Sequence, residues 1–175
     1  MLLEGSCHCR AVRFSVDAVQ PYPFNLCYCS ICRKTAGGGG YAINLGADNA
    51  TLEVTGREHV SIYHARLGRS GADDKGSDPS GETRSGEVET SPGERHFCSR
   101  CGSALWVWDP RWPELVHPFA SAIDTELPAA PERTHLMLGS KPAWVPLLLA
   151  PKDQTFDEYP DESLATWHER LGLTS

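Results

Sequence analysis

The stretch FCSRCGS at residues 97–103 holds two cysteines in a C-x-x-C spacing, followed directly by Gly102. This pattern is typical of a zinc knuckle, in which backbone amides turn towards the two sulfurs. The chain begins with a matching C-x-C pair in GSCHC at residues 5–9. Structural zinc takes four ligands in a tetrahedron, so we predict one zinc ion held by Cys7, Cys9, Cys98 and Cys101. Such a site would join the N-terminal strand to a distant strand and contribute folding free energy directly.

A second group of cysteines lies in CYCSICRK at residues 27–34 and supplies the three thiols of Cys27, Cys29 and Cys32. Three thiolates are one short of a closed structural site, whereas catalytic zinc usually has three protein ligands and one exchangeable position. Zinc with three thiolates carries a charge of about −1, so it activates water only modestly and is better suited to accept another thiolate. We therefore predict a second, catalytic zinc here, with thiol chemistry rather than peptide hydrolysis.

Other uses of the seven cysteines are possible on the sequence alone. One of the seven histidines could close the second group into a structural Cys₃His site, or the group could be a redox thiol cluster that binds no metal. A pure disulfide framework is disfavoured, because seven is an odd number. Cysteines two or three positions apart would also form strained or impossible bridges with each other.

The composition limits the class of protein. The chain has 175 residues, 40% of them hydrophobic and 22% charged, with a net charge of −7. We expect one domain over residues 1–175, which does not bind nucleic acid or an anionic membrane surface, because both need clustered basic residues. It has no apolar run of membrane-spanning length, and its N-terminus lacks the features of a signal peptide. The expected compartment is the cytosol, and the oligomeric state is not predicted.

Short alternating segments broken by glycine and proline predict a mainly β domain with antiparallel pairing. The expected strands cover residues 10–16, 41–45, 51–54, 60–63, 103–108 and 115–121. Helices are expected at residues 29–36 and at about 161–172, the second beginning at Asp161 and ending at Gly172. Residues 68–93 are rich in glycine, serine and acidic residues and contain no aromatic residue, which predicts a flexible surface insertion.

Taken together, these motifs resemble the glutathione-dependent formaldehyde-activating enzyme family. The likeness rests on GSCHC with AVRF (5–14), CYCSICRK (27–34), FCSRCGSALW (97–106), HLMLGSKPAWVPL (135–147) and FDEYPD (156–161). Two features depart from the family pattern. Arg10 stands where a glycine often follows the first cysteine pair, and glycines occupy 37–40, where we expect side chains that shape a pocket.

The resemblance implies a zinc-stapled antiparallel β-tent with few short helices and two zinc ions, one structural and one catalytic, on the cysteine groups named above. It also implies a carbon–sulfur lyase that forms or breaks S-(hydroxymethyl)glutathione, with glutathione or a similar small thiol and an aldehyde as its partners. Glutathione carries two carboxylates, so basic residues are candidates to bind it, namely Arg33 and Lys34 beside the open zinc and Lys141 in the SKPAW segment. The alternative is a non-catalytic zinc-binding module that binds a thiol or a protein partner.

Overall fold

The computed structural model describes residues 1–67 and 89–173. In these two ranges the chain forms twelve strands and two short α-helices, so the predicted mainly β class is confirmed. The strands are β1 (Leu2–Ser6), β2 (Arg13–Asp17), β3 (Asn25–Cys27), β4 (Ala42–Ile43), β5 (Ala47–Asp48), β6 (Glu53–Thr55), β7 (Val60–Arg66), β8 (Thr90–Cys98), β9 (Ala104–Trp108), β10 (Leu115–Pro118), β11 (Thr134–Leu136) and β12 (Gln154–Thr155). The helices are α1 (Ser30–Thr35) and α2 (Leu164–Arg170).

The described strands form three sheets, with strand orders β1-β2-β6, β5-β10-β9-β8-β7 and β12-β11-β3-β4. Pairing is antiparallel throughout the first two sheets. The third sheet departs from the antiparallel prediction, because β11 runs parallel to both β3 and β12. Parallel neighbours need a long connection, and more than a hundred residues separate β3 from β11.

The main hydrophobic core lies between the sheets and includes the buried cysteines of both groups. Alternate residues of the paired strands β1 and β2 point into it, among them Leu3, Phe14 and Val16. Phe14 meets Trp106 of β9 edge to face, with ring centroids 5.2 Å apart. Each large apolar side chain buried in this way contributes about 1.5–3 kcal/mol to folding. The core therefore encloses the second cysteine group and two members of the first group, Cys7 and Cys98, whereas Cys9 and Cys101 are exposed.

All six predicted strand segments contain a strand, although the ends are shifted. The predicted insertion at residues 68–93 is only partly within the described residues. The stretch 68–88 lies outside the described residues, but residues 90–93 belong to β8, so the insertion prediction extended too far. Pro92 and Gly93, which favour loops, made this part of the strand look irregular.

The C-terminal helix is shorter than predicted. α2 begins after Ser163, whose Oγ accepts a hydrogen bond from the Thr166 amide at 3.1 Å, so Ser163 rather than Asp161 is the cap. The predicted stop at Gly172 agrees with its left-handed φ of +65°. No helix in the described part of the chain has the length and apolar character needed to cross a bilayer.

Candidate metal and catalytic centres

The structure brings the first and last cysteine pairs together into one cluster, which we call the outer tetrad: Cys7, Cys9, Cys98 and Cys101. Their four sulfurs lie within 4.8 Å of one another. The Cys7 and Cys9 sulfurs are 3.5 Å apart, and those of Cys9 and Cys98 are 3.9 Å apart. Four thiolates bound tetrahedrally to zinc at about 2.3 Å would lie roughly 3.8 Å from one another. The donor set and spacing of the outer tetrad therefore fit a zinc ion.

Two similar turns position the outer tetrad. In the turn after β1, the Arg10 amide donates to the Cys7 carbonyl at 2.9 Å, and Arg10 has a φ of +61°. In the turn between β8 and β9, the Gly102 amide donates to the Cys98 carbonyl at 2.8 Å, and Gly102 has a φ of +74°. Glycine adopts this left-handed conformation easily, whereas a residue with a Cβ, such as Arg10, is strained in it.

The second group, which we call the inner trio, consists of Cys27, Cys29 and Cys32. Cys27 ends β3, Cys29 caps α1, and Cys32 lies in the first turn of that helix. Their sulfurs also lie within 4.8 Å of one another, and all three residues are buried. The Cys32 amide donates to the Cys29 sulfur at 3.3 Å, which fixes this sulfur at the start of the helix. The trio offers three thiolates, the usual number of protein ligands for catalytic zinc.

No histidine, aspartate or glutamate among the described residues joins either cluster as a further ligand. This finding opposes the closed Cys₃His interpretation for the described part of the chain. All seven cysteines are free thiols, so a disulfide framework is absent from the structure, which describes every cysteine of the chain.

Hydrogen bonds within each cluster give its thiols different pKa values. The pKa of Cys32 is lowered well below its usual value, because the Cys27 and Cys29 thiols donate hydrogen bonds to it and Arg95 lies beside it. The pKa of Cys27 is raised, since its hydrogen bonds to the other two thiols favour its protonated form. In the outer tetrad, the pKa of Cys101 is lowered to about 5, chiefly by the hydroxyl of Ser103. The pKa of Cys7 in the same tetrad is lowered as well, because hydrogen bonds from the Val12 amide and from Cys9 and Cys98 outweigh the effect of burial.

The residues predicted to bind glutathione differ in their surroundings. Arg33 follows Cys32 on α1 and is half-buried, and its Nε is buried without a hydrogen-bond partner in the described structure. Lys34 is exposed. Lys141 donates to the carbonyls of Pro142 and Val145, at 3.2 and 2.6 Å, so its ammonium group is already bound by its own loop.

Arg95 of β8 was not among the residues predicted from the sequence. Both of its terminal guanidinium nitrogens face the Cys32 sulfur, at 4.0 Å for Nη1 and 3.9 Å for Nη2. The contact depends on the pairing of β8 with β7 and β9, which brings Arg95 to a residue 63 positions away. No local pattern in the sequence marks it.

A buried polar network lies behind the inner trio. The Tyr28 hydroxyl is 3.0 Å from Nδ1 of His135, and Nε2 of His135 is 3.1 Å from the Asp153 carboxylate. Arg133 binds the same carboxylate through Nε and Nη2, at 3.0 and 2.7 Å. Because Tyr28 lies between Cys27 and Cys29 in the chain, the network anchors the backbone that carries the trio.

Comparison with known proteins agrees with these features. The family model described as "Glutathione-dependent formaldehyde-activating enzyme" matches residues 2–80, which include the first two cysteine groups. A curated protein of Halomonas elongata, named "Putative glutathione-dependent formaldehyde-activating enzyme", is 63% identical over 173 residues, which is 99% of this chain and 98% of that protein. The chain belongs to the glutathione-dependent formaldehyde-activating enzyme family.

The resemblance noted in the sequence is therefore confirmed over nearly the full chain of this family member. A solved structure of a Rhodobacter sphaeroides protein is a more distant match, with 22% identity and a TM-score of 0.48. The match covers 71% of this chain and 91% of the Rhodobacter sphaeroides chain.

Proposed function

We propose that this family member is a zinc-dependent carbon–sulfur lyase that acts on the adduct of glutathione with formaldehyde or another small aldehyde, as an S-(hydroxymethyl)glutathione synthase does. One observation supports this proposal beyond family membership. The outer tetrad offers four sulfurs, whereas the inner trio offers three and has no fourth ligand among the described residues. A metal on the trio would keep one position for an exogenous ligand, which is the arrangement of a catalytic site.

We propose two zinc ions per chain, a structural ion on the outer tetrad and a catalytic ion on the inner trio. Zinc bound to the trio would lower the pKa of an added thiol and hold its sulfur as a thiolate. We also propose a cytosolic location, because seven free thiols persist in a reducing compartment.

The reaction itself needs little from the protein beyond positioning. In the synthetic direction the sulfur–hydrogen bond and the second carbon–oxygen bond of formaldehyde break, a bond forms between the glutathione sulfur and the formaldehyde carbon, and the former carbonyl oxygen gains the proton that the thiol gives up. The reverse reaction breaks the carbon–sulfur bond, restores the carbonyl and returns that one proton to the sulfur. The buried trio excludes water from the sulfur side of the site, and α1 fixes the relative positions of Cys29 and Cys32. Arg33 is the best placed of the predicted glutathione-binding residues, because its Nε lacks a partner in the described structure.

The test compares Cys32→Ser with Cys98→Ser. We expect Cys32→Ser to fold, to bind one zinc ion per chain fewer than the wild type, and to lose glutathione binding. We expect Cys98→Ser to lose stability, because the outer tetrad joins distant segments of the chain. Zinc is measured by elemental analysis, folding by circular dichroism, and glutathione binding by calorimetry. The rate of adduct formation is compared with the uncatalysed rate.

A Cys32→Ser variant that retains both zinc ions, or that unfolds as Cys98→Ser does, would show that the trio is a structural site. A wild-type protein that binds zinc at the trio but neither binds glutathione nor accelerates the reaction would favour the non-catalytic module instead.

A further inference from the structure

Arg95 presents a forked pair of donors to the edge of the inner trio. Its two terminal nitrogens lie almost equally far from the Cys32 sulfur, at 4.0 and 3.9 Å. A guanidinium has five N–H donors in one plane. One from each terminal nitrogen is directed to the sulfur, so three remain for another acceptor. Arg95 is half-buried, which strengthens its interaction with an anion relative to a fully exposed arginine.

Carboxylates already pair with several of the other arginines. Arg111, Arg133 and Arg170 each bind a carboxylate, at Asp109, Asp153 and Glu162 respectively. The chain is acidic overall, with 23 acidic residues against 16 basic ones. Among the residues that the structure describes, the Arg95 guanidinium nevertheless has no carboxylate partner, and it faces the Cys32 sulfur instead.

The distances limit which anion could use these free donors. An atom in contact with the Cys32 sulfur lies roughly 4 Å from it. The terminal nitrogens of Arg95 lie at most 4.0 Å from the same sulfur. That atom therefore lies within about 8 Å of these nitrogens. One extended residue spans about 3.5 Å, and a thiol side chain adds a comparable length. A carboxylate on the residue that follows a thiol-bearing residue can therefore reach Arg95 while the thiol contacts the trio.

We propose that Arg95 binds a peptide thiol through the carboxylate of the residue that follows the thiol-bearing residue. Arg95 thereby selects such peptide thiols over simple thiols that lack this carboxylate. This inference rests on the proposed function, and for glutathione the carboxylate is that of its glycine. Arg95 is then a specificity-determining residue for the thiol ligand. The fork suits this task because an arginine binds a carboxylate through two parallel hydrogen bonds.

The test measures dissociation constants for three thiols on the zinc-loaded protein. The thiols are glutathione, glutathione with its glycine carboxylate converted to an amide, and 2-mercaptoethanol. For the wild type we expect glutathione to bind roughly 10- to 100-fold more tightly than the amide, the range of a charge-assisted hydrogen-bonded pair. Arg95→Gln should remove this difference, and Arg95→Lys should restore part of it. Binding of 2-mercaptoethanol should be the same in all of these proteins.

Arg13→Gln is the matched control, because Arg13 is exposed on β2 and this substitution removes the same charge. Zinc content is measured for every variant. If Arg95→Gln loses zinc, or weakens 2-mercaptoethanol and glutathione equally, Arg95 supports the trio itself and the inference is wrong.

The wild type alone keeps the inference testable even if Arg95→Gln does not fold. Equal affinity of the wild type for glutathione and its amide would overturn this inference and leave the proposed function intact. A wild type that binds none of the three thiols would overturn both.

Discussion

Replacing Asp153 by alanine should destabilise the fold, because this carboxylate is the centre of the buried network behind the trio. It accepts hydrogen bonds from the backbone amides of Arg133 and Ala150, both at 3.0 Å, from the Arg133 guanidinium and from His135. The side chains of Asp153 and His135 are only 1% and 2% exposed, whereas that of Arg133 is 38% exposed. In the variant Arg133 can turn to water, but the ring of His135 cannot.

The size of the effect follows from these contacts. Hydrogen bonds to a charged group contribute about 1.5–3 kcal/mol, and a buried donor left without a partner costs about 1–3 kcal/mol. With Arg133 rehydrated, we expect Asp153→Ala to lower the free energy of unfolding by about 3 kcal/mol. That is a large part of the 5–15 kcal/mol typical of a domain. The measurement is the urea midpoint at fixed zinc concentration, converted with an unchanged slope.

The control is Asp157→Ala, which removes an exposed carboxylate from the same C-terminal segment and should change stability by less than about 0.5 kcal/mol. If Asp153→Ala costs less than about 1 kcal/mol, the network is not an anchor and the reasoning fails.

The same carboxylate predicts a pH dependence. The pKa of Asp153 is lowered in the fold, because hydrogen bonds from Arg133, Ala150 and His135 outweigh the effect of burial. Its contribution is therefore complete above the unfolded pKa, near 3.9, and is lost as pH falls through the lower folded value. The difference in free energy of unfolding between the wild type and Asp153→Ala should be the same at pH 7 and pH 5, and it should shrink below about pH 4. Both proteins have the same cysteines, so acid-induced loss of zinc largely cancels in this difference.

Two backbone predictions concern the turns. Arg10→Gly should raise the free energy of unfolding by about 0.5–1 kcal/mol, measured as a higher urea midpoint. The reason is that relief of the left-handed φ of +61° exceeds the entropic cost of glycine and the loss of an exposed contact with Asp124. A lower midpoint would contradict this account. Gly40→Ala should cost about 2–3 kcal/mol, because φ is +96° and a Cβ would lie 2.4 Å from the buried Val145 side chain. Gly39→Ala, which meets nothing within 4 Å, should be nearly neutral, and equal effects in a thermal unfolding assay would refute the steric argument.

The sequence was most informative where the structure is local. C-x-C and C-x-x-C spacings bring sulfurs together within one turn, so the sequence indicated the trio and each outer pair, and the four ligands that structural zinc takes predicted that the two outer pairs combine. Pairing between distant strands has no comparable local pattern in the sequence. β3 and β11 have three residues each, too few to show a period of two, and their parallel pairing was not predicted. Arg95 was missed for the same reason, since only the register of β8 brings it to Cys32.

The same contrast between local and distant pairing is relevant to the different tasks that we propose for the two cysteine clusters. The outer tetrad joins Cys7 to Cys101, so a metal there closes a long loop and is coupled to formation of the whole fold. The inner trio lies within six consecutive residues and closes almost no loop. Metal binding at the trio therefore adds little to long-range order, and the fold already positions its sulfurs through β3, α1 and the Asp153 network. A site that the fold does not depend on can give one coordination position to a substrate without weakening the protein.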